Sequence, residues 1–162
     1  QAVVNLIAYL QQSRPDLKRK TFPKSKPTLI RPEKRELFLT SMNCSIYGST
    51  LILETKYGNL GYWSSANDQA IWEVDVPKDG EYEVWIEWAL NSSSGNRFIL
   101  QSPIHSLTHQ VQSTTSWDRY KKAKIGTLKL RAGRQSITMR GKGPIKGALI
   151  DLKSITLRPL GR

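Results

Sequence analysis

Two histidines, His105 and His109, stand four residues apart in a stretch rich in Ser, Thr and Gln, with no cysteine or carboxylate beside them. A metal centre needs three or four converging ligands and a hydrolytic triad needs a nucleophile and an orienting acid, so neither is built from this pair. Asp68 and Asp151 are the types of group that a glycosidase pairs as acid and base, but no pattern in the chain fixes their separation or raises one pKa above the other. Gly141-Lys142-Gly143 lacks the spacing of a phosphate-binding loop. Cys44 is alone, which excludes an internal disulfide and a cysteine metal site and leaves a buried structural thiol. Non-catalytic is the stronger reading of these residues.

The elements that would position such groups are short. Between Gly61 and Leu100, Trp72, Val74 and Val76 alternate with Glu73 and Asp75, and Tyr82, Val84, Ile86 and Trp88 alternate with Glu81, Glu83 and Glu87. A period of two places each apolar set on one face of a sheet. Pro77-Lys78-Asp79-Gly80 between them reads as a hairpin turn, with a second sheet needed to cover the joint apolar face. Further strands are expected at Leu37–Leu39, Ser49–Glu54, Arg97–Gln101, Gln110–Thr114, Ile125–Leu130, Ser136–Arg140 and Leu149–Leu157. Eight or nine short strands, with turn signals every 8–12 residues and no helix after residue 13, predict an all-β antiparallel sandwich over residues 37–162.

Two segments precede it. Residues 1–13 carry Val3, Leu6, Ile7 and Leu10 at helical spacing, which predicts a short amphipathic helix at the end of some upstream domain. Residues 14–36 hold four prolines and nine Lys/Arg with little periodicity, and are expected to form a semi-rigid linker. With Gln rather than Met at its start, the chain reads as a piece of a longer protein. No run of about eighteen apolar residues exists, so no helical membrane span is expected.

The net charge of +12 is unevenly spread. Residues 14–36 hold nine Lys/Arg against three acids, residues 37–96 two against eight, and residues 97–162 fourteen against two. Such polarity could steer an anionic partner. The basic run nonetheless lacks interleaved stacking aromatics and any nucleic-acid motif, so no nucleic-acid partner is expected.

The order of short motifs is informative. Gly61-Tyr62-Trp63, Asn67-Asp68, Trp72, Asp79-Gly80-Glu81-Tyr82-Glu83-Val84, Gly95-Asn96, Thr114 to Tyr120 (Thr-x-x-Trp-Asp-x-Tyr), Leu128 to Gly133 and Asp151 to Leu157 follow one another in that order. In this the chain resembles carbohydrate-binding modules of families 6 and 35, and the related jelly-roll modules appended to fucosidases, sulfatases and multidomain cytochromes. The likeness spans roughly residues 37–160. Residues 1–13 resemble the last helix of a c-type cytochrome domain, although no Cys-x-x-Cys-His occurs.

The resemblance implies a jelly roll that holds sugar among loops at one end. A pyranose lays its C–H patches on an aromatic face and gives its hydroxyls to amide or carboxylate groups. Carried over by motif, the ligand residues are Tyr62, Trp63, Asn67, Asp68, Tyr120 and Asp151, the last standing where the family commonly has Asn. Lys146, with Arg119, Lys121, Lys122 and Lys124, is placed to clamp carboxylate or sulfate groups of an anionic glycan. The family's structural calcium site uses a Glu in the first strand, where this chain has Thr40 and Ser41, so no cofactor or metal is expected. Trp72 shares its parity with the core valines, and Trp117 is expected to pack. Trp85 falls on the Glu-bearing face, either over a second groove or under a loop or the upstream helix. The expected partners are a polysaccharide or oligosaccharide and an upstream domain of the same polypeptide, and the expected place of work lies outside the cytoplasm. The alternative is a structural or docking sandwich that binds no sugar.

Overall fold

The computed structural model describes residues 18–161, so the helix expected over residues 1–13 lies outside the described residues. Twelve strands follow in order: β1 (Arg19–Lys20), β2 (Leu37–Thr40), β3 (Ser45–Tyr47), β4 (Ile52–Glu54), β5 (Asn59–Gly61), β6 (Gln69–Val76), β7 (Gly80–Ala89), β8 (Arg97–Gln101), β9 (Ser106–Gln110), β10 (Lys121–Leu130), β11 (Gly133–Gly141) and β12 (Asp151–Pro159). One sheet runs β1-β3-β6-β11-β8-β9 and the other β10-β7-β12-β5-β4, with β2 beside β12. All strand pairs are antiparallel. The expected all-β sandwich is therefore the fold. Among the described residues no helix is long and apolar enough to cross a membrane.

The alternation read from the sequence has a different consequence from the expected hairpin. β6 pairs with β3 and β11, whereas β7 pairs with β10 and β12. Pro77-Lys78-Asp79 therefore crosses between sheets, and neither Asp79 nor Gly80 takes a positive φ. Trp72, Val74 and Val76 on one sheet meet Tyr82, Val84, Ile86 and Trp88 on the other in a single core, all nearly or wholly buried. The two apolar faces cover each other across the sandwich, which satisfies both strands without a third layer. The corner is pinned to the next crossing, since Ala132 N donates to Asp79 Oδ1 at 2.7 Å. β10 carries a bulge at Gly126, where φ is +153° and an added Cβ would stand 2.8 Å from Leu107.

The segment expected to be a linker is partly built into the sandwich. β1 pairs with β3, Lys26 N donates to the Met42 carbonyl, and Ile30 bridges to Val74 with its side chain in the core. Pro23, Pro27 and Pro32 keep this stretch extended, and extension lets it lie along the sandwich. Glu36 then pairs with Arg158 of β12. The expected strand at 110–114 is a loop. Its place is taken by β9, whose sequence Ser-Leu-Thr-His-Gln is polar because it is an exposed edge strand.

Candidate functional site

At one end of the sandwich three pieces of chain enclose a groove of about 660 Å³, lined by Glu54, Tyr57, Asn59, Tyr62, Trp117, Asp118, Tyr120, Ala148, Asp151 and Lys153. The β4–β5 hairpin supplies the first three, the chain leaving β5 supplies Tyr62, the loop into β10 supplies Trp117 to Tyr120, and the start of β12 supplies Asp151 and Lys153.

Tyr62 and Trp117 are each held outward by a buried neighbour. Trp63 is completely buried and its carbonyl accepts from Leu149 N at 2.8 Å, so the residue before it projects to solvent. Tyr62 is 64% exposed and sits at φ 55°, a conformation unfavourable for a non-glycine residue. The Trp117 loop is latched by buried Thr114, whose N donates to the Leu90 carbonyl at 2.8 Å and whose hydroxyl accepts from Leu90 N and donates to the Ser116 carbonyl. Thr115 then takes φ 73°, and Trp117 emerges 39% exposed.

The polar groups converge over Gly61. A Cβ there would meet Glu54 Oε1 at 2.3 Å and Asp151 Oδ1 at 3.1 Å, so the missing side chain is the space that both carboxylates use. Asn59 Nδ2 donates to Glu54 Oε1 at 2.9 Å. Burial, together with the charge of Glu54, pushes the Asp151 carboxyl up to about 7. Burial and the surrounding carboxylates of Asp151, Glu54, Glu87 and Asp118 also raise Tyr120, so its phenol stays a hydrogen-bond donor. The Lys153 ammonium rests 4.2 Å from the centre of the Tyr120 ring and covers one of its faces.

Of the residues proposed from sequence, the structure brings Tyr62, Tyr120 and Asp151 together in this groove. Trp63 is displaced from the ligand set, because its ring is sealed in the core. Asp68 is displaced too. It is completely buried, accepts from Thr50 N and Ser65 N at 3.0 Å and from Ser64 N at 3.3 Å, and pairs with the Thr50 hydroxyl. Its work is to latch the loop ahead of β6, and it does not line the groove that holds Asp151. Asn67 is exposed on that loop and Lys146 on another, and neither lines the groove. The backbone of Lys146 is instead held by Asn96, through bonds of 2.7 Å and 3.0 Å.

Sequence reasoning missed Glu54, Tyr57, Asn59, Asp118 and Lys153 as groove residues, and it assigned Trp117 to packing. Trp117-Asp118 lay inside the Thr-x-x-Trp-Asp-x-Tyr motif, and Glu54 to Asn59 is a polar turn with a glycine at φ 72°. The first signal lay inside a motif; the second points to the groove only once the hairpin aligns Glu54 with Asn59. The position of the family's calcium does not fit a metal here. The Thr40 carbonyl accepts from Trp72 Nε1 at 2.8 Å, the Thr40 hydroxyl accepts from Met42 N, and the Ser41 hydroxyl donates to the Gly58 carbonyl at 2.8 Å. The histidines serve the scaffold: His105 Nδ1 accepts from Lys129 N at 3.0 Å, and the His109 ring packs on Phe98 at 5.5 Å.

The profile of the family described as "Carbohydrate binding module (family 35)" matches residues 31–159. Solved structures share the fold. A family 35 carbohydrate-binding module from Clostridium thermocellum has 16% identity and a TM-score of 0.64, over 75% of this chain and 96% of that one. The second carbohydrate-binding module of Cellvibrio mixtus lichenase 5A, solved in complex with cellotriose, has 18% identity and a TM-score of 0.61, over 76% and 97%. The GH26-CBM35 β-(1,4)-mannanase of Podospora anserina has 14% identity and a TM-score of 0.58, over 80% of this chain but only 29% of that larger one. No curated protein matches the sequence. The family match covers most of the chain, including β2 to β12, and places it in carbohydrate-binding module family 35 as a non-catalytic glycan-binding module.

Proposed function

We propose that the groove over Gly61 receives a saccharide unit. Tyr62 and Trp117 offer ring faces to its C–H patches, while the Tyr120 phenol, Asn59, Glu54 and Asp151 meet its hydroxyls. The observation that carries this reading is the convergence of four aromatic side chains with an amide and three carboxyl groups in one cleft of about 660 Å³, within the usual size of small-ligand sites. The Lys153 ammonium already covers one face of Tyr120, so a sugar would use the other face or the phenol. Glu54, Asp118 and Asp151 outnumber Lys153, which argues against the anionic glycan suggested by the overall charge and in favour of a ligand without carboxylates.

The wider role we propose is targeting. Joined to an upstream domain and working outside the cytoplasm, the module would hold its neighbour at a polysaccharide and raise local substrate concentration through the tether. Such an arrangement is named in the Podospora mannanase, where a family 35 module shares a chain with an enzyme. The docking alternative rested on Trp85 and the rim aromatics; Tyr62 and Trp117 are exposed but line the groove, which leaves Trp85 as the surface outside it. The Trp85 ring lies 4.8 Å from the Arg158 guanidinium and its Nε1 donates to Glu83, so its contacts are already made within the module.

A glycan array probed at low and moderate salt tests the groove. The expected result is salt-insensitive binding to a restricted set of glycans, weakened at least tenfold by Tyr62→Ala or Trp117→Ala with no loss of thermal stability, since both side chains are exposed. Binding that survives both substitutions, or that vanishes with salt, overturns it.

A further inference from the structure

The groove combines features that a neutral sugar does not require. Glu54 and Asp151 share the space over one glycine, and the second of these carboxyls has no hydrogen-bond donor or ion-pair partner among the described residues. Asp118 lines the same cleft. Neighbouring carboxylates in a partly desolvated cleft repel one another, and the cost falls when a cation joins them. A cation is already at hand: the Lys153 ammonium lies on the Tyr120 ring at 4.2 Å, at the edge of this acidic cleft. That contact already sets an ammonium group against the ring face.

We propose that the ligand of this groove is a glycan built from 2-amino sugars, its ammonium seated between Glu54 and Asp151 near the Tyr120 ring, with exposed Asp118 at the rim of the same cleft. The inference rests on the groove being the saccharide site. An amino sugar supplies both halves of what the cleft offers: a C–H face for Tyr62 and Trp117, and a positive charge for the carboxylates. N-acetylation removes that charge, and a uronic acid would add a further carboxylate where three already stand. In this reading the Lys153 side chain is an internal stand-in that the ligand ammonium displaces. The chain as a whole carries +12, so its general field repels a polyamine, and any preference for one must arise locally.

The test is calorimetric titration of the protein at pH 6.5, in EDTA and about 0.15 M salt, with four tetrasaccharides: β-1,4-linked glucosamine, its fully N-acetylated form, cellotetraose and tetragalacturonate. The glucosamine oligomer is expected to bind at least tenfold more tightly than the other three. That preference is expected to collapse in Glu54→Gln and to shrink in Asp151→Asn, because the parent carboxyl gives up its proton as the ammonium enters and the amide cannot; Lys153→Met is expected to strengthen glucosamine binding severalfold, with thermal denaturation confirming that each variant is folded. Equal or tighter binding of cellotetraose or the N-acetylated oligomer, lost in Tyr62→Ala, overturns the amine preference and leaves the groove as a sugar site. Tighter binding of galacturonate overturns it also, as does an amine preference that persists in Glu54→Gln or is undiminished in Asp151→Asn. If none of the four binds and the array is empty as well, both readings fall.

Discussion

The division of labour between Asp68 and Asp151 shows how one residue type serves two ends. Asp68 is buried and fully engaged with backbone N–H groups and the Thr50 hydroxyl, so removing it leaves donors without an acceptor. Asp68→Ala is expected to cost about 2–3 kcal/mol while changing glycan affinity less than tenfold, as read by chemical denaturation and titration. A ligand-contacting residue would show the reverse. Asp151 has the opposite signature. Its carboxyl is raised from 3.8 to about 7, first by burial and then by Glu54. The folded state thus holds a proton that the unfolded state releases between about pH 4 and pH 7, and stability from this group falls as pH rises through that window. Asp151→Asn is therefore expected to match the parent near pH 4 and to become the more stable protein by pH 8. The gain is on the order of 1 kcal/mol, because the side chain is partly solvated and screened. Melting temperatures of the two proteins compared across this range check it.

At the scale of elements, the N-terminal strap is part of the domain. Ile30 is 7% exposed and ties itself to β6 through two backbone bonds, Ile30 N to Glu73 O at 2.9 Å and Asp75 N to Ile30 O at 2.8 Å. Ile30→Ala is expected to destabilise the domain by about 2–4 kcal/mol, whereas substitution of exposed Lys24 should change little; urea denaturation distinguishes a docked strap from a free tether. The strap also shows what a linear pattern conceals. Strand alternation in β6 and β7 was plain in the sequence, because an apolar residue at every second position has one physical meaning. Which sheet each strand would join was not, because Pro77 to Asp79 can serve a hairpin or a corner equally well. The candidate site was legible where a motif carried it, at Tyr62, Tyr120 and Asp151. Glu54 and Asn59 reach the groove only through the fold, by a two-strand hairpin whose register aligns Glu54 with Asn59. Trp63 was misjudged because exposure in a loop depends on local backbone direction: adjacent residues Tyr62 and Trp63 point to opposite environments, one wet and one dry.

For the whole molecule, charge and site diverge. An excess of basic residues covers much of the surface, yet the cleft that gathers aromatic rings is acidic. Net charge thus reports on the surroundings of this protein more than on what its groove holds. The alternation of the chain between the two sheets carries a further implication. β5, β6, β7, β10, β11 and β12 change sides at each of the passages from β5 to β6, β6 to β7, β10 to β11 and β11 to β12, so neither layer is assembled from one stretch of chain. No half of this polypeptide owns a complete sheet that could persist by itself. A nick at the Val76–Gly80 corner would leave fragments that must recombine before either acquires a dry interior, and assembly has to wait for partners distant in sequence. The same interleaving means that the groove, borrowed from residues nearly a hundred positions apart, comes into being only with the last strand in place.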